Sequence, residues 1–221
     1  QVAVTTSVIN PREDFEINAL GTFNLLESTR IYSPDSCFIF ASTNKVYGGM
    51  DSLEVIEKTS RYEYESLSKG VDENFPLDFH SPYGCSKGAA DQYVRDYHRI
   101  YNLNTVVLRQ SCIYGTQQYG VEDQGWVAWI TIASILDKQI TIYGDGMQTR
   151  SFCYVDDLVE VIIGLMCSSD DCIGPINIGN PNEFTIKELA TLVIELTESK
   201  SELIYKPLPS DDPMQRQPDI S

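Results

Sequence analysis

A tyrosine and a lysine four positions apart carry the strongest chemical signal in this sequence. Tyr83 and Lys87 follow Ser81-Pro82, which is typical of a helix start, so the phenol and the ammonium share one helix face. A free tyrosine, with a pKa of about 10, is a weak base at neutral pH, but a neighbouring cation favours the phenolate and lowers that pKa. The spacing therefore predicts a proton-accepting tyrosine. A solvated tyrosine and lysine on a helix surface is the alternative interpretation.

Two hydroxyl side chains stand where they can act together with that pair. Ser42 and Thr43 end the apolar run 37–41, which is typical of a parallel strand covered by helices on both faces. Because open α/β sheets bind ligands at the carboxyl ends of their strands, we expect these hydroxyls at a ligand site. The Thr43 and Tyr83 hydroxyls, together with the Lys87 cation, can orient an alcohol and take its proton without a metal.

Helices and apolar strands alternate along the chain and supply the scaffold for these residues. N-caps, capping boxes and periodic apolar residues predict helices over 10–32, 81–101, 125–138, 155–166 and 185–199. Buried-strand runs lie at 37–41, 105–108, 140–143 and 175–178. In the first helix, Phe15, Ala19, Phe23 and Leu26 mark the predicted buried face. The alternation predicts an α/β fold with a doubly wound parallel sheet, followed by an extended arm from 206 to 221.

Composition excludes several classes of partner. The 221 residues are 42% hydrophobic and include 16 basic and 32 acidic residues, which gives a net charge of −16. Nucleic acid and anionic membranes need clustered Lys and Arg, so neither is expected as a partner. The longest apolar run, 126–136, is too short to span a bilayer. Six cysteines without a C-x-x-C pair, and only two histidines, predict no metal site. Reduced thiols indicate a cytoplasmic protein.

Several short motifs follow one another over nearly the whole chain. They are Ser42-Thr43-x-x-Val46-Tyr47-Gly48, Tyr83-x-x-x-Lys87, Arg109 with Tyr114-Gly115, Tyr143-Gly144-Asp145-Gly146-x-Gln148-x-Arg150, Val155-Asp156-Asp157-Leu158, Asn177-Ile178-Gly179 and Asp212-Pro213-x-x-Arg216. In this order they resemble the extended short-chain dehydrogenase/reductase family of nucleotide-sugar epimerases, dehydratases and decarboxylases. The resemblance implies a Rossmann-like doubly wound sheet. Residues 1–115 would form the remainder of the NAD-binding domain with the catalytic residues. Residues 116–221 would form mainly a smaller α/β substrate-binding region, with one Rossmann strand near 175–178.

The resemblance also implies roles for individual residues. Thr43 and Tyr83 would meet the sugar hydroxyl that is oxidised, while Lys87 would hold the nicotinamide ribose of NAD and tune Tyr83. Arg150 and Arg216 would grip the substrate diphosphate, because arginine offers a two-donor fork, with a surface arginine paired to an aspartate as the alternative. The implied substrate contacts are Thr43, Cys112, Gln124, Trp126, Arg150 and Arg216. The implied ligands are NAD and a nucleotide-diphosphate sugar, and the implied assembly is a homodimer or homotetramer.

Within the family, the residues after Thr43 favour an epimerase. Family dehydratases carry Asp-Glu there and decarboxylases keep a Glu, whereas this sequence has Asn44-Lys45. The stretches 42–48, 77–93 and 123–126 resemble the CDP-paratose 2-epimerases, so we expect an NAD-dependent nucleotide-sugar epimerase that transiently oxidises its sugar. The ending 208–219 resembles UDP-glucuronate decarboxylases. A decarboxylase or nucleotide-sugar 4,6-dehydratase, and a catalytically silent nucleotide-sugar-binding relative, stay as alternatives.

A glycine-rich turn is missing from this sequence. Family members hold the dinucleotide pyrophosphate with G-x-x-G-x-x-G, and neither Gly48-Gly49 nor Gly144-Asp-Gly146 has that spacing. We therefore expect that the chain is a fragment whose nucleotide-binding half lies outside it, and that the fragment alone is inactive.

Overall fold

Seven α-helices and eleven strands lie within the residues that this computed structural model describes, 3–122, 124–168, 174–208 and 212–221. The helices are α1 (Val4–Ile9), α2 (Pro11–Phe15), α3 (Gly21–Tyr32), α4 (Ser81–Tyr101), α5 (Trp126–Ile135), α6 (Val155–Met166) and α7 (Ile186–Leu196). The strands are β1 (Phe38–Thr43), β2 (Val55–Glu57), β3 (Tyr62–Tyr64), β4 (Thr105–Gln110), β5 (Cys112–Tyr114), β6 (Ile140–Tyr143), β7 (Thr149–Tyr154), β8 (Pro175–Ile178), β9 (Glu183–Thr185), β10 (Leu203–Lys206) and β11 (Gln215–Arg216). A π-helical turn (Glu16–Leu20) joins α2 to α3, and a 3₁₀ turn (Asn44–Tyr47) follows β1.

Three parallel strands form the sheet that positions the candidate site. They pair in the order β1-β4-β8, and Thr43 at the end of β1 lies opposite Gln110 at the end of β4. Alternate residues of β4 enter different cores. Val107 packs with Leu26 of α3 and Val94 of α4. Val106 and Leu108 belong to another cluster, against which residues of α6 pack. Helices therefore cover both faces, and the predicted α/β class with a parallel sheet is confirmed.

A second group of strands carries both candidate diphosphate-binding arginines. β7 lies between its parallel neighbours β5 and β11, and β9 pairs with it in the antiparallel sense. β6 and β10 form a separate parallel pair, and β2 with β3 an antiparallel hairpin. The predicted extended arm, 206–221, packs on the rest of the protein, since β11 pairs with β7 and Pro218 forms a β-bridge with Val71. The division into residues 1–115 and 116–221 stays a prediction.

The first helical stretch places three of its four predicted core residues in the core, since Ala19 and Leu26 are buried and Phe23 packs against the same core as Leu26, whereas Phe15 is not buried. Its start is confirmed, because the Asn10 side chain accepts the Glu13 N–H, and Pro11 is the first residue of α2. Leu26 is fully buried, but Phe15 is 54% exposed and its place on the inner face is taken by Asp14 and other polar residues. The prediction for Phe15 is wrong, because polar partners across the interface, rather than apolar periodicity, decide which face is buried.

A buried ion pair connects the elements behind the site. Arg109 of β4 and Asp91 of α4 make two hydrogen bonds, of 3.0 and 3.2 Å. Arg109 also donates to the Tyr47 hydroxyl, which in turn donates to the Asn177 side chain of β8. The Asp91 carboxylate accepts a hydrogen bond from the Ser42 hydroxyl at 2.8 Å, so the network fixes the end of β1 directly before Thr43. No helix in the described part of the chain is long and apolar enough to cross a membrane.

Candidate active site

Tyr83 and Thr43 meet at the carboxyl end of the parallel sheet. Thr43 ends β1, and its hydroxyl accepts the Lys45 N–H at 3.2 Å, which starts the 3₁₀ turn. Tyr83 lies in the first turn of α4, where its backbone N–H donates to the Ser7 hydroxyl at 3.1 Å. The Tyr83 phenol is hydrogen-bonded to the Thr43 side chain, and both residues are buried. The structure therefore brings the two predicted hydroxyls into direct contact.

Lys87 lies one helical turn after Tyr83 and points toward β1. Its ammonium donates to the Ala41 carbonyl at 2.9 Å and lies 4.9 Å from the centre of the Phe40 ring. Burial lowers the pKa of Lys87, whereas the negative charge of Asp14 raises it. An ammonium has three donors, so in the described part of the chain this contact leaves donors for a ligand beside Tyr83.

The pKa of Tyr83 shifts in the direction opposite to the one its spacing predicts. Burial raises the pKa of the Tyr83 phenol, the hydrogen bond with Thr43 lowers it, and the charge of Asp14 raises it further. Because desolvation penalises the charged phenolate, burial is the largest of these three effects. A lowered pKa would need positive charge beside the phenol in addition to what these residues supply.

Arg150 and Arg216 lie side by side because their strands pair in register. Parallel pairing of β7 with β11 places the two arginines opposite each other, and both are buried. Arg150 forms an ion pair with Asp212 and lies 5.9 Å from the centre of the Trp126 ring. Among the described residues, the Arg216 Nε has no hydrogen-bond partner. A buried donor without a partner is costly, so this pair of arginines suits an anionic ligand.

Cys112 completes this cluster from the neighbouring strand. Cys112 pairs with Phe152 of β7, which lies two positions after Arg150. Because residues two apart on a strand share a face, the side chains of Cys112 and Arg150 lie on the same face of the sheet. Cys112 is solvent-exposed; the protein packed around its thiol raises the pKa of the thiol, while the charges of Arg150, Arg216 and Lys45 lower it. Cys112 therefore lies near the two arginines, and its contact with a substrate stays a prediction.

Lys45 is a site residue that the spacing of motifs does not reveal. Its side chain lines a small cavity with Arg216, Gly48, Gly49, His80 and Ser81. Burial, and then the charge of Arg216, lower the pKa of Lys45 to about 8. In the sequence Lys45 only replaces an expected carboxylate. In the structure it is a third basic side chain near two arginines, and the fold rather than the local sequence brings it there.

The cavity beside Lys45 adjoins a larger cleft of about 410 Å³. Its lining includes Met50, Tyr64 and His80, and the segment before Arg216 closes one side. Gln124 lies apart in the loop before α5, where its described hydrogen bonds are backbone contacts with Val121. Asp123, part of the motif around Gln124, lies outside the described residues.

Comparison with known proteins identifies the family. Residues 1–179 match the model of the NAD dependent epimerase/dehydratase family. The chain belongs to this family. It is 44% identical over 201 residues to CDP-paratose 2-epimerase of Salmonella typhi, covering 87% of this chain and 60% of the relative. It is 37% identical over 213 residues to UDP-glucuronic acid decarboxylase 1 of Arabidopsis thaliana, covering 96% and 45%.

Solved structures of family members share the fold. UDP-glucose 4-epimerase of Thermotoga maritima, solved with UDP-glucose, superimposes with a TM-score of 0.84 at 30% identity, covering all of this chain and 66% of that one. The Thermus thermophilus enzyme, in complex with NAD, gives a TM-score of 0.82 at 29% identity, covering 100% and 67%. The chain thus spans about two thirds of these two structures, 60% of the Salmonella typhi relative and less than half of the decarboxylase.

The residues of this family member fit one end of NAD. The Lys87 ammonium, with donors left beside the buried Tyr83 phenol, suits the ribose hydroxyls next to a nicotinamide. The pyrophosphate end differs, because this sequence contains no glycine-rich turn to hold it. NAD, the cofactor of the family, is therefore matched here at its nicotinamide end.

Proposed function

We propose that the protein containing this chain is an NAD-dependent nucleotide-sugar epimerase of the CDP-paratose 2-epimerase type. One observation carries the proposal, the buried contact between the Tyr83 phenol and the Thr43 side chain with Lys87 one turn away. The similarity to the Salmonella typhi CDP-paratose 2-epimerase supports the same activity. A protein that only binds a sugar nucleotide has no need of a buried proton acceptor beside a cation.

In the proposed reaction, Thr43 and Tyr83 hold one hydroxyl of the sugar. Thr43 orients the hydroxyl, and Tyr83 takes its proton as the carbon loses a hydride. Bound NAD supplies the hydride acceptor and, in its oxidised form, positive charge that favours the phenolate. Lys87 binds the adjacent ribose and keeps the nicotinamide beside Tyr83. When the hydride returns to the opposite face of the ketone, Tyr83 gives back the proton, and the configuration at that carbon is inverted.

We assign the substrate diphosphate to a cationic cluster formed by Arg150, Arg216 and Lys45. Arg150 and Arg216 occupy paired positions on neighbouring strands, Lys45 adds a third basic side chain, and Asp212 forms an ion pair with Arg150. Trp126 lies under Arg150 and would pack against the nucleotide end of the ligand. These residues form the proposed substrate contacts together with Thr43 and Cys112. Gln124 stays a prediction.

An epimerase is favoured over a lyase by the two residues that follow Thr43. Asn44 is buried and Lys45 lines the cavity, so neither position supplies a carboxylate to move a proton next to a transient ketone. A decarboxylase is the second candidate, because the Arabidopsis thaliana UDP-glucuronic acid decarboxylase 1 is similar over 96% of this chain.

Product masses separate these two functions. The complete protein, incubated with CDP-sugars and UDP-sugars in deuterated water, should yield products that have lost neither water nor carbon dioxide. A product lighter by carbon dioxide would show that the protein is a decarboxylase and not an epimerase.

The role of Tyr83 is tested by substitution. Tyr83→Phe should keep the fold and nucleotide-sugar affinity but lower turnover by about 100-fold or more, because its proton acceptor is gone. Turnover equal to that of the unchanged protein would exclude Tyr83 as the base.

We further propose that the complete protein is a cytoplasmic homodimer or homotetramer. The support is apolar surface on two neighbouring helices, where Phe15 and Leu25 of the first stretch and Tyr93 and Ile100 of α4 are each at least half exposed. Light scattering coupled to size-exclusion chromatography tests the assembly, and a monomer at micromolar concentration would contradict it.

A further inference from the structure

A buried carboxylate lies directly behind the candidate catalytic pair. Asp14 of α2 is 1% exposed. Its partners are neutral, since one carboxylate oxygen accepts from the Ser86 hydroxyl and the other accepts from the Asn18 amide at 3.2 Å. The same Asn18 amide donates to Ser86 at 3.4 Å, which closes a three-membered cluster. In the described part of the chain, no Lys or Arg forms an ion pair with Asp14.

Burying a carboxylate among neutral donors costs free energy that a neutral residue would avoid. Replacing buried charge by uncharged residues is often neutral or stabilising, so stability alone does not account for Asp14. Its position offers another account. Ser86 precedes Lys87 and lies three residues after Tyr83, whose carbonyl is 3.1 Å from the Ser86 hydroxyl. The carboxylate is therefore anchored to the helical turn that carries both residues.

Other charges near α4 are occupied elsewhere. On the helical stretch that packs on α4, the side chains of Arg12 and Glu16 are 86% and 54% exposed. Glu13 bonds Asn10 at the surface, and Glu27 pairs with Arg30. The other elements packed on α4 add Arg109, paired with Asp91 of α4 itself, and Lys45 of the 3₁₀ turn, in the cavity with Arg216. On α4 the further Asp, Arg and His side chains are Arg95, Asp96, His98 and Arg99, which lie two or more turns after Lys87. The described residues of β1 and α1 carry no charge.

We infer that Asp14 is a positioning residue for the proposed reaction. It fixes the turn of α4 that carries Tyr83 and Lys87, and it places a buried negative charge one hydrogen bond away from Ser86, the residue before Lys87. This inference deepens the proposed function in one respect, because a protonated Lys87 is what that mechanism requires. The charge of Asp14 raises the pKa of both Lys87 and Tyr83, in agreement with this placement.

Asp14→Asn removes the charge and keeps the shape, and Glu16→Gln on the same helical stretch is the matched control. Lysine labelled with carbon-13 at Cε in the complete protein reports the titration of Lys87, assigned by the signal lost in Lys87→Arg. The titration midpoint of Lys87 should fall by about one pH unit in Asp14→Asn and stay unchanged in Glu16→Gln. An unchanged midpoint in Asp14→Asn would overturn the inference. Should that variant not fold, Asp14→Ser is the second neutral variant, with the same expectation.

Turnover provides an independent measurement. Losing the Asp14 charge lowers the pKa of the base Tyr83 and of the acid Lys87, so both limbs of the pH profile of kcat should move to lower pH in Asp14→Asn. A purely structural role would reduce kcat at every pH without moving the limbs, and that result would reject the positioning role. If the unchanged protein shows no epimerisation while the Lys87 midpoint still falls, the proposed function fails and the electrostatic role of Asp14 stands.

Discussion

Removing the Arg109 guanidinium should destabilise the protein strongly. Arg109 and Asp91 have side chains that are 1% and 0% exposed, and they share two hydrogen bonds. Arg109 also donates to the Tyr47 hydroxyl and to the Glu73 carbonyl, both at 3.1 Å. In Arg109→Met, the Asp91 carboxylate stays buried with only the Ser42 hydroxyl and a neighbouring amide as described donors. A buried charge without its counter-charge is the main source of the expected loss.

The expected loss is about 3–5 kcal/mol in the free energy of unfolding, which is typical of breaking a buried ion pair from one side. Arg61→Met is the matched control. Arg61 pairs with Glu188 at 3.3 Å, with side chains 30% and 44% exposed, and such surface pairs contribute about 0–1 kcal/mol. The double variant Asp91→Leu with Arg109→Met should regain part of the loss, because no unpaired charge then remains.

Urea unfolding of the complete protein, followed by tryptophan fluorescence, measures these differences. The midpoint for Arg109→Met should fall well below those for Arg61→Met and for the double variant. Equal midpoints for Arg109→Met and Arg61→Met would refute the argument that burial makes this pair different. A double variant no more stable than Arg109→Met would show that lost hydrogen bonds, and not the unpaired carboxylate, cause the loss.

Three further outcomes are expected. The pKa of Lys45 is lowered to about 8, so the affinity for an anionic nucleotide sugar should fall as pH rises through about 8 and Lys45 loses its charge. Calorimetry between about pH 7 and about pH 9 should show this fall for the unchanged protein and not for Lys45→Met. Arg216→Lys should weaken nucleotide-sugar binding about tenfold, since an ammonium cannot reproduce two parallel hydrogen bonds, and equal affinity would remove Arg216 from the diphosphate site. The 221-residue chain by itself should show no saturable NAD binding by calorimetry, because it contains no glycine-rich turn, and micromolar binding would contradict that expectation.

Local signals in the sequence predicted the elements that they themselves determine. β6, β8 and α6 have the predicted bounds, and the Thr185 capping box with Glu188 starts α7 where expected. α4 begins and ends as predicted, from Ser81 to Tyr101. In each case an apolar run, a cap or a proline acts within a few residues, so neighbours in sequence suffice to decide the structure.

Elements held by distant partners were not predicted. β7 begins with Thr149, Arg150 and Ser151, all buried, so no alternation of apolar and polar residues marks it as a strand. β11 has two residues and exists through its pairing with β7. The same reason applies to the site. The Tyr83 and Lys87 spacing is local and visible, whereas the burial of Asp14 and Lys45 depends on segments far away in the chain.

The proposed diphosphate site is cationic although the chain carries a net charge of −16. Exposed acidic residues act through water and salt, which screen charges beyond about 8–10 Å at physiological ionic strength. Arg150 and Arg216 are 4% and 7% exposed, so their charges are screened much less. In the proposed function, an anionic sugar nucleotide would therefore gain its binding energy from contact with these buried groups after entering the cleft. The surface charge would act before that point, by repelling other polyanions and slowing the approach of an anionic ligand.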